Sequence, residues 1–452
     1  MCIRDSGRVA ALLGERLFSY ADVPYRLAPY EDTVLNPKAT IHYDEVAAAR
    51  SSGRVDALGG DGRLLEDGAG RIYLATLAEK LLVPALSKLS NYVPGGGIWM
   101  NTERPEWNDA NNALVGFGLS MVTLYQLRRY LDHQRKLLDG SSLSHVAMSS
   151  EVVEWLKAVD SVLRRSDPAT VVTADEARKG LMDDWGTAFE TYRSHVYERG
   201  LTDQIDVDLE DIGRLCDTAI EHLDATIGVN RRDDGLYHSY NLIRFDADQS
   251  GAAVEHLYEM LEGQVAVLDS GVLSADERMA VIDALFSSAM YRSDQQSFTL
   301  YPARRLPSFL DKNVIPTETV AANPLLTALT AADDQSIIVV DSAGRHRFNA
   351  DFANRGDLEA MLHELAENET WGELVAAHGP ATLAAYEEVF GHHAYTGRSG
   401  SMYGYEGIGS IYWHMVAKLL VAVQASVIDA QSEQASPATI TRLIDAYWRV
   451  RA

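Results

Sequence analysis

Two carboxylates at loop-to-helix junctions have the residue types and surroundings needed for acid–base chemistry. The first is Asp109, which ends the segment Glu106-Trp107-Asn108-Asp109 at the entry to a long helix with an apolar face. Burial beside Trp107 would raise the pKa of this carboxyl, as a general acid that protonates a glycosidic oxygen requires. The structural alternative is that Asn108 or Asp109 simply caps the helix.

The second carboxylate is Glu406, which lies between Tyr405 and Gly407 at another such junction. A helix N-terminus favours the ionised form of a carboxylate. An ionised base facing a protonated acid, with space for a water between them, is the arrangement of an inverting glycoside hydrolase. We therefore expect Asp109 to protonate the leaving oxygen and Glu406 to activate water, with helix capping as the alternative for Glu406.

Most aromatic side chains of this protein carry a polar group, since it has 21 Tyr and 7 Trp against 10 Phe. Such rings can pack on a sugar while their polar atoms bond its hydroxyls. They cluster in long loops at 95–109, 234–241, 301–309 and 392–406. We expect the substrate to contact the following residues: Glu106, Trp107, Asn108, Tyr237, His238, Tyr240, Arg304, Arg305, Tyr405 and Trp413. The alternative is that these rings cap helix packing.

A phosphate group could bind to the fourth loop, where Thr396, Gly397, Arg398 and Ser399 offer hydroxyls, backbone amides and a guanidinium. A metal site is not expected, because the adjacent His392 and His393 point apart on most backbones and no cysteine pair supports them. No cofactor is expected either.

Composition excludes several functional classes. With 40 Lys and Arg against 65 Asp and Glu, the net charge is −25, which argues against nucleic-acid binding. No apolar run reaches the roughly 18–20 residues of a membrane-spanning helix, so no membrane partner is expected. Dinucleotide-binding, P-loop and serine-hydrolase motifs are also absent. The localisation is left open.

Apolar residues spaced three and four apart predict a mainly helical protein. The expected helices cover about 71–92, 109–137, 150–164, 174–198, 207–226, 252–267, 274–290, 355–367, 372–389, 407–430 and 437–449. Thr173 and Ser274 each precede Ala-Asp-Glu and are expected N-caps. Residues 336–348 predict a small β-hairpin, since apolar β-branched residues precede a Ser-Ala-Gly turn.

These features resemble the six-hairpin, (α/α)6-barrel glycosidases and phosphorylases. The segment Glu106-Trp107-Asn108-Asp109 resembles the acid loop of the cellobiose phosphorylase family, and Thr396-Gly397 resembles the phosphate-contacting residues of that family. Glu406-Gly407-Ile408-Gly409 is similar to the base element of trehalase-like inverting hydrolases. The resemblance implies an all-α (α/α)6 toroid that acts on a disaccharide or oligosaccharide.

The sequence departs from these families at Glu106, where the acid loop has Asp, and in the few helices that precede Asp109. We interpret residues 1–6 as a translated sequencing adapter and expect an N-terminally truncated catalytic domain over 7–452, with the hairpin 336–348 inserted. Inverting hydrolysis is the first hypothesis. The alternatives are phosphorolysis, with inorganic phosphate near Thr396, and a non-catalytic sugar-binding helical barrel.

Overall fold

The computed structural model describes residues 11–37, 39–102, 114–246, 248–302, 308–391 and 411–451. Most of these residues are helical, as the apolar periodicity predicts. The chain forms two compact units. Among the described residues, the first unit holds those up to 302 and those from 411 onwards, whereas the second holds 308–391.

The first unit begins with short strands and helices that lead into longer helices. Its elements up to residue 229 are β1 (Tyr25–Leu27), α1 (Tyr30–Leu35), β2 (Ile41–Tyr43), α2 (Glu45–Leu58), a 3₁₀ turn (Gly59–Arg63), α3 (Leu77–Leu89), β3 (Tyr92–Val93), β4 (Gly97–Trp99), β5 (Gly118–Ser120), α4 (Met121–Asp139), β6 (His145–Ser149), α5 (Ser150–Arg165), α6 (Pro168–Val171), α7 (Asp175–Arg199), β7 (Gln204–Asp208) and α8 (Leu209–Val229). It continues with β8 (Tyr240–Phe245), β9 (Ala252–His256), α9 (Leu261–Leu268), α10 (Ala275–Ser287), β10 (Tyr291–Arg292) and β11 (Ser297–Phe298).

The second unit is a small α+β body. Its elements are α11 (Phe309–Lys312), α12 (Thr317–Ala322), α13 (Pro324–Ala331), β12 (Ile338–Val340), β13 (His346–Phe348), α14 (Arg355–Ala366) and α15 (Gly372–Phe390). It has an apolar core of its own, in which Leu326, Phe348 and Tyr386 are buried. Strands β12 and β13 pair antiparallel, so the hairpin predicted at 336–348 is present and belongs to this unit.

The first unit resumes with α16 (Trp413–Ser432) and α17 (Pro437–Arg451). Both helices pack against α10, and α16 also packs against α9. By length and composition α16 is apolar enough to cross a membrane, with a mean hydropathy of 1.2 over its best window. A helix in the core of a soluble protein meets the same criterion, and Leu419 and Val423 of α16 lie in the main apolar core.

Several helices of the first unit begin where the sequence supplies a hydrogen-bonding cap. Ser120, Ser149 and Ser274 each accept a hydrogen bond from an amide in the first turn that follows. The cap predicted at Ser274 is confirmed and forms a capping box with Glu277. The cap predicted at Thr173 is wrong, because Ala174 occupies the N-cap position and the Thr173 hydroxyl donates to Thr170 O.

A five-stranded antiparallel sheet of order β3-β4-β5-β8-β9 corrects the all-α prediction. Residues 252–256 are its edge strand β9, not the start of a helix over 252–267. In the ladder, Ser120 pairs with Tyr240 and Leu119 pairs with Asn241. Side chains alternate between the two faces of a sheet, so Tyr240 and Asn241 lie on opposite faces.

The two sheet faces belong to different apolar clusters. Tyr92 and Ile98 are packed into the main core with α3, α4 and α8. Trp99, Leu119 and Ile243 form a separate cluster with residues of α1 and α7. The toroidal arrangement of the helices, the single catalytic domain over 7–452 and its truncation stay predictions.

Candidate functional site

Most of the predicted site residues lie outside the described part of the chain. These are Asp109, Glu406, Glu106, Trp107, Asn108, Arg304, Arg305, Tyr405, Thr396, Gly397, Arg398 and Ser399. Their roles therefore stay predictions. Tyr237, His238, Tyr240 and Trp413 are described, and all four belong to the first unit.

Tyr240 donates a hydrogen bond from its hydroxyl to Glu262 Oε2, at 2.8 Å. Tyr240 is the first residue of β8 and is 2% exposed, whereas Glu262 lies in the first turn of α9. Burial raises the pKa of Glu262, which the Tyr240 hydroxyl and the positive charge of Lys418 partly oppose. This pair joins a hydroxyl to a carboxyl that takes up a proton more readily than an ordinary glutamate.

His238 stacks on His256, with ring centroids 4.2 Å apart and planes within 9° of parallel. The Nδ1 atom of His238 donates to Leu257 O at 3.0 Å, because a carbonyl oxygen can only accept. Burial and the neighbouring His256 together lower the pKa of His238 to about 4. Both rings are therefore neutral near pH 7.

His256 is oriented by a chain of amide side chains. Asn241 Nδ2 donates to Gly96 O at 2.7 Å and to Asn230 Oδ1 at 2.8 Å, so its Oδ1 faces His256 as an acceptor. His256 Nδ1 donates to that oxygen at 2.8 Å. Both imidazoles thus carry their proton on Nδ1, and each Nε2 is an acceptor.

The same amides hold the glycine turn between β3 and β4. Asn230 Nδ2 donates to Gly95 O, and Thr226 Oγ1 accepts from the Gly95 amide, both at 2.9 Å. Gly95 has φ +76° and an added Cβ would stand 2.3 Å from Val172 O, so no other residue fits there. This turn joins β3 to β4.

The turn before Tyr237 is fixed by charge. Arg232 Nη2 donates to Asp234 Oδ2 at 2.8 Å and to Glu259 Oε2 at 3.1 Å. The Arg232 guanidinium helps to hold the pKa of Asp234 below its usual range, despite the opposing effect of burial. The turn is therefore rigid at neutral pH, and it sets the start of β8.

Tyr237 lies in the main apolar core and is 5% exposed. The side chain of Gln264 clamps its backbone, accepting from Tyr237 N at 2.9 Å and donating to Tyr237 O at 2.7 Å. The ring therefore offers little surface to a sugar. Trp413 is the opposite case, because it opens α16 and is 65% exposed.

The structure does not gather the four described candidates into one cleft. Tyr240 lies on the sheet face that packs on the main core, whereas Asn241 and its partner His256 lie on the other face. Sequence reasoning missed Glu262 and His256. Glu262 could have been found as an acid inside the apolar stretch Met260-Leu261-Glu262-Gly263, where an isolated carboxylate needs a partner.

The described residues contain no group of three or more His, Cys, Asp or Glu side chains placed to hold a metal ion. The polar groups that the four described candidates bring together are the Tyr240–Glu262 pair and the two stacked imidazoles, whose Nε2 atoms are acceptors.

Part of the chain is similar to a known protein family. Residues 306–393 match a family model described as GH149 phosphorylase insertion domain 2. The matched range coincides with the second unit, whose described residues are 308–391. The match covers a minority of the chain and points to a carbohydrate-active enzyme related to glycoside phosphorylases. No curated protein matches the chain.

Proposed function

We propose that this protein is a glycoside phosphorylase, which cleaves a glycosidic bond with inorganic phosphate. The observation that carries this proposal is the match of residues 306–393 to a phosphorylase insertion domain. That range forms a compact unit with its own core, so the similarity extends over a whole structural body rather than a short motif.

The sequence supplies residues for each step. In the proposed reaction a phosphate oxygen forms a bond to the anomeric carbon while the bond from that carbon to the leaving oxygen breaks. Asp109 gives its proton to the leaving oxygen. The products are a sugar 1-phosphate of inverted anomeric configuration and a sugar shortened by one unit. Thr396, Gly397, Arg398 and Ser399 would hold the phosphate.

The Tyr240–Glu262 pair lies in the first unit, where Tyr240 is 2% exposed. We assign this hydrogen bond to the packing of β8 against α9 rather than to contact with the sugar. Phosphorolysis needs no general base, because phosphate itself is the nucleophile, and Glu406 then has a structural or sugar-binding role.

The test is incubation of the full chain with a panel of disaccharides and short oligosaccharides, with and without phosphate, followed by separation of free sugars from sugar 1-phosphates. We expect cleavage to require phosphate and to yield a sugar 1-phosphate. Asp109→Asn should reduce the rate by about 10²–10⁴-fold, the usual contribution of a general acid. Glu210→Gln changes an exposed carboxylate of the first unit and is the control.

The hydrolysis hypothesis is tested by the same experiment. Release of free sugar at an equal rate without phosphate, abolished by Glu406→Gln, would overturn phosphorolysis and make Glu406 the base. Failure of every sugar to react, with sugar binding retained, would favour the non-catalytic sugar-binding alternative.

A further inference from the structure

A cavity of about 220 Å³ lies in the first unit beside the sheet face that carries Trp99. Its walls come from α1, α3, the end of β4 and α7. Drug-sized ligands occupy pockets of roughly 300–1,000 Å³, so this cavity suits a small ion or one small polar group. None of the four described candidate residues lines it.

The charge of this cavity is opposite to that of the protein. Arg193 and Lys88 line it, and its lining within the described residues includes no Asp or Glu. The whole chain carries 65 acidic against 40 basic residues. A cavity with two cations and no acid therefore stands out from its surroundings, and its positive potential attracts an anion.

Arg193 is held in place but forms no ion pair with a carboxylate of the described residues. Its guanidinium carbon lies 4.4 Å from the centre of the Phe189 ring, and Nη2 donates to Ala28 O at 3.0 Å. Its Nε is buried and has no hydrogen-bond partner among the described residues. A buried guanidinium N–H without a partner is costly, and an oxyanion would satisfy it.

The nearest acid on the same helix is already engaged. Glu190 lies one turn before Arg193, and its Oε2 accepts from the Tyr30 amide at 2.8 Å. Asp183, further along α7, accepts from Lys179 Nζ with both oxygens. Neither carboxylate lines the cavity, so neither neutralises it from within.

Lys88 supplies the second cation and forms no ion pair within the described ranges. The surrounding protein lowers the pKa of Lys88 by desolvating its ammonium. Ser90, also in the lining, accepts from Trp155 Nε1 at 3.0 Å, so its own hydroxyl hydrogen can be donated. Two cations and a hydroxyl donor match the oxygens of a tetrahedral anion.

We propose that this cavity binds a phosphate group, presented either as inorganic phosphate or as a phosphate monoester. The proposal does not rest on the proposed function, since it concerns binding at Arg193, Lys88 and Ser90 and none of the residues assigned to the reaction. Asn101 and Thr102 in its lining directly precede the segment that carries Asp109 in the sequence.

The test is isothermal titration of the full chain with inorganic phosphate and separately with glucose 1-phosphate, at constant ionic strength, using chloride as the reference anion. Wild-type protein should bind phosphate. Arg193→Met keeps an aliphatic side chain over the Phe189 ring but removes the guanidinium N–H donors. It should weaken phosphate binding by about tenfold or more. Arg129→Met removes an exposed, ion-paired arginine of the same unit and should leave binding unchanged.

Separate controls address the folding of the variants and the source of the bound phosphate group. Should Arg193→Met unfold, Lys88→Met carries the test, because Lys88 lies in the last turn of α3 and keeps part of its surface exposed. Tighter binding of inorganic phosphate or of the monoester identifies the source, and either supports the proposal. Absence of phosphate binding by the wild type, or wild-type affinity in both Arg193→Met and Lys88→Met, overturns it.

Failure of the cavity proposal can be distinguished from failure of the proposed phosphorylase function. The double variant Thr396→Val with Arg398→Met should abolish phosphorolysis while the Arg193-dependent binding persists. Loss of all phosphate binding in that double variant, with full binding in Arg193→Met, would overturn the cavity proposal and leave phosphorolysis intact.

Discussion

The imidazoles of His238 and His256 lie face to face, 4.2 Å apart, and each donates its Nδ1 proton to a fixed oxygen. The stack brings the loop before β8 against the end of β9. Protonating either ring would place a charge beside its neighbour and beside Arg232, which already lowers the pKa of both. The contact is therefore stable only while both rings are neutral.

The first prediction concerns acid stability. The pKa of His238 is lowered to about 4 in the folded protein, whereas an unfolded histidine titrates near 6.5. The unfolded chain thus binds more protons between these values, and the free energy of unfolding should fall by about 1–3 kcal/mol as the pH drops from 6.5 to 4. His238→Phe should flatten this part of a melting-temperature profile against pH. His195→Phe, at a residue with no such stack in the described chain, is the control, and an equally flattened profile there would contradict the prediction.

The second prediction concerns the carboxyl of Glu262. Tyr240→Phe removes a hydrogen bond that stabilises the ionised form, so the pKa of Glu262 should rise further. Lys418→Met should act in the same direction by removing a positive charge. The protonated-carboxyl band in infrared difference spectra, assigned with Glu262→Gln, reports the titration. Tyr130→Phe, whose hydroxyl donates to Leu81 O, should leave that band in place, and a lower pKa in Tyr240→Phe would refute the assignment.

A third prediction tests the glycine turn. Gly95→Ala combines a positive φ with a Cβ 2.3 Å from Val172 O, and it should lower the free energy of unfolding by about 2 kcal/mol or more. Gly180→Ala is the contrasting variant, since Gly180 is helical, has nothing within 4 Å of an added Cβ, and should become more stable by about 0.4–1 kcal/mol. Denaturant titration measures the free energy of unfolding of both variants. Equal stability of the two variants would contradict the prediction that Gly95 is required in the turn.

A fourth prediction addresses the second unit. Asp341 accepts from the Ala343 and Arg345 amides and from the Arg345 and Arg347 guanidinium groups, at 2.8–2.9 Å. These donors hold the pKa of Asp341 well below its usual range. Its contribution to stability is therefore present above about pH 4 and disappears as the pH falls through the folded pKa.

Asp341→Asn should therefore speed hydrogen exchange in peptides from 308–391 at pH 7, and this difference should shrink below about pH 4. Peptides from the first unit should be unaffected. Asp351→Asn changes an exposed carboxylate of the same unit and should exchange like the wild type. A difference that grows on acidification would be the opposite of what the sign of the pKa shift requires.

Several long helices were predictable because their signals are local, whereas the prediction for 109–137 was wrong at its start, since Gly118–Ser120 is a strand and the helix begins at Met121. Expected helices at 150–164 and 174–198 correspond to Ser150–Arg165 and Asp175–Arg199. Apolar spacing fixes the buried face of such a helix, and a serine or an acidic first turn marks its start. The prediction of an N-cap at Thr173 was wrong because the Thr173 hydroxyl donates to the Thr170 carbonyl oxygen and does not accept from the amides of the helix.

The sheet was not predictable because its strands are short and pair across long sequence separations. Gly97–Trp99 and Gly118–Ser120 have three residues each, too few to display an alternating pattern. The strand Gly118–Ser120 pairs with β8, which lies more than a hundred residues away along the chain. Tyr240 was identified from its residue type, but its partner Glu262 became visible only through the packing of α9 beside β8.

The order of the units along the chain determines the order in which they can fold during synthesis. Helices α16 and α17 complete the packing around α9 and α10, yet they follow the whole second unit in the sequence. A ribosome that makes the chain from its N-terminus therefore releases the second unit, with its separate core, before those helices exist. Before α16 and α17 are synthesised, Leu261 and Leu285 lack their final neighbours. The nascent chain then exposes an apolar surface that these two helices later cover.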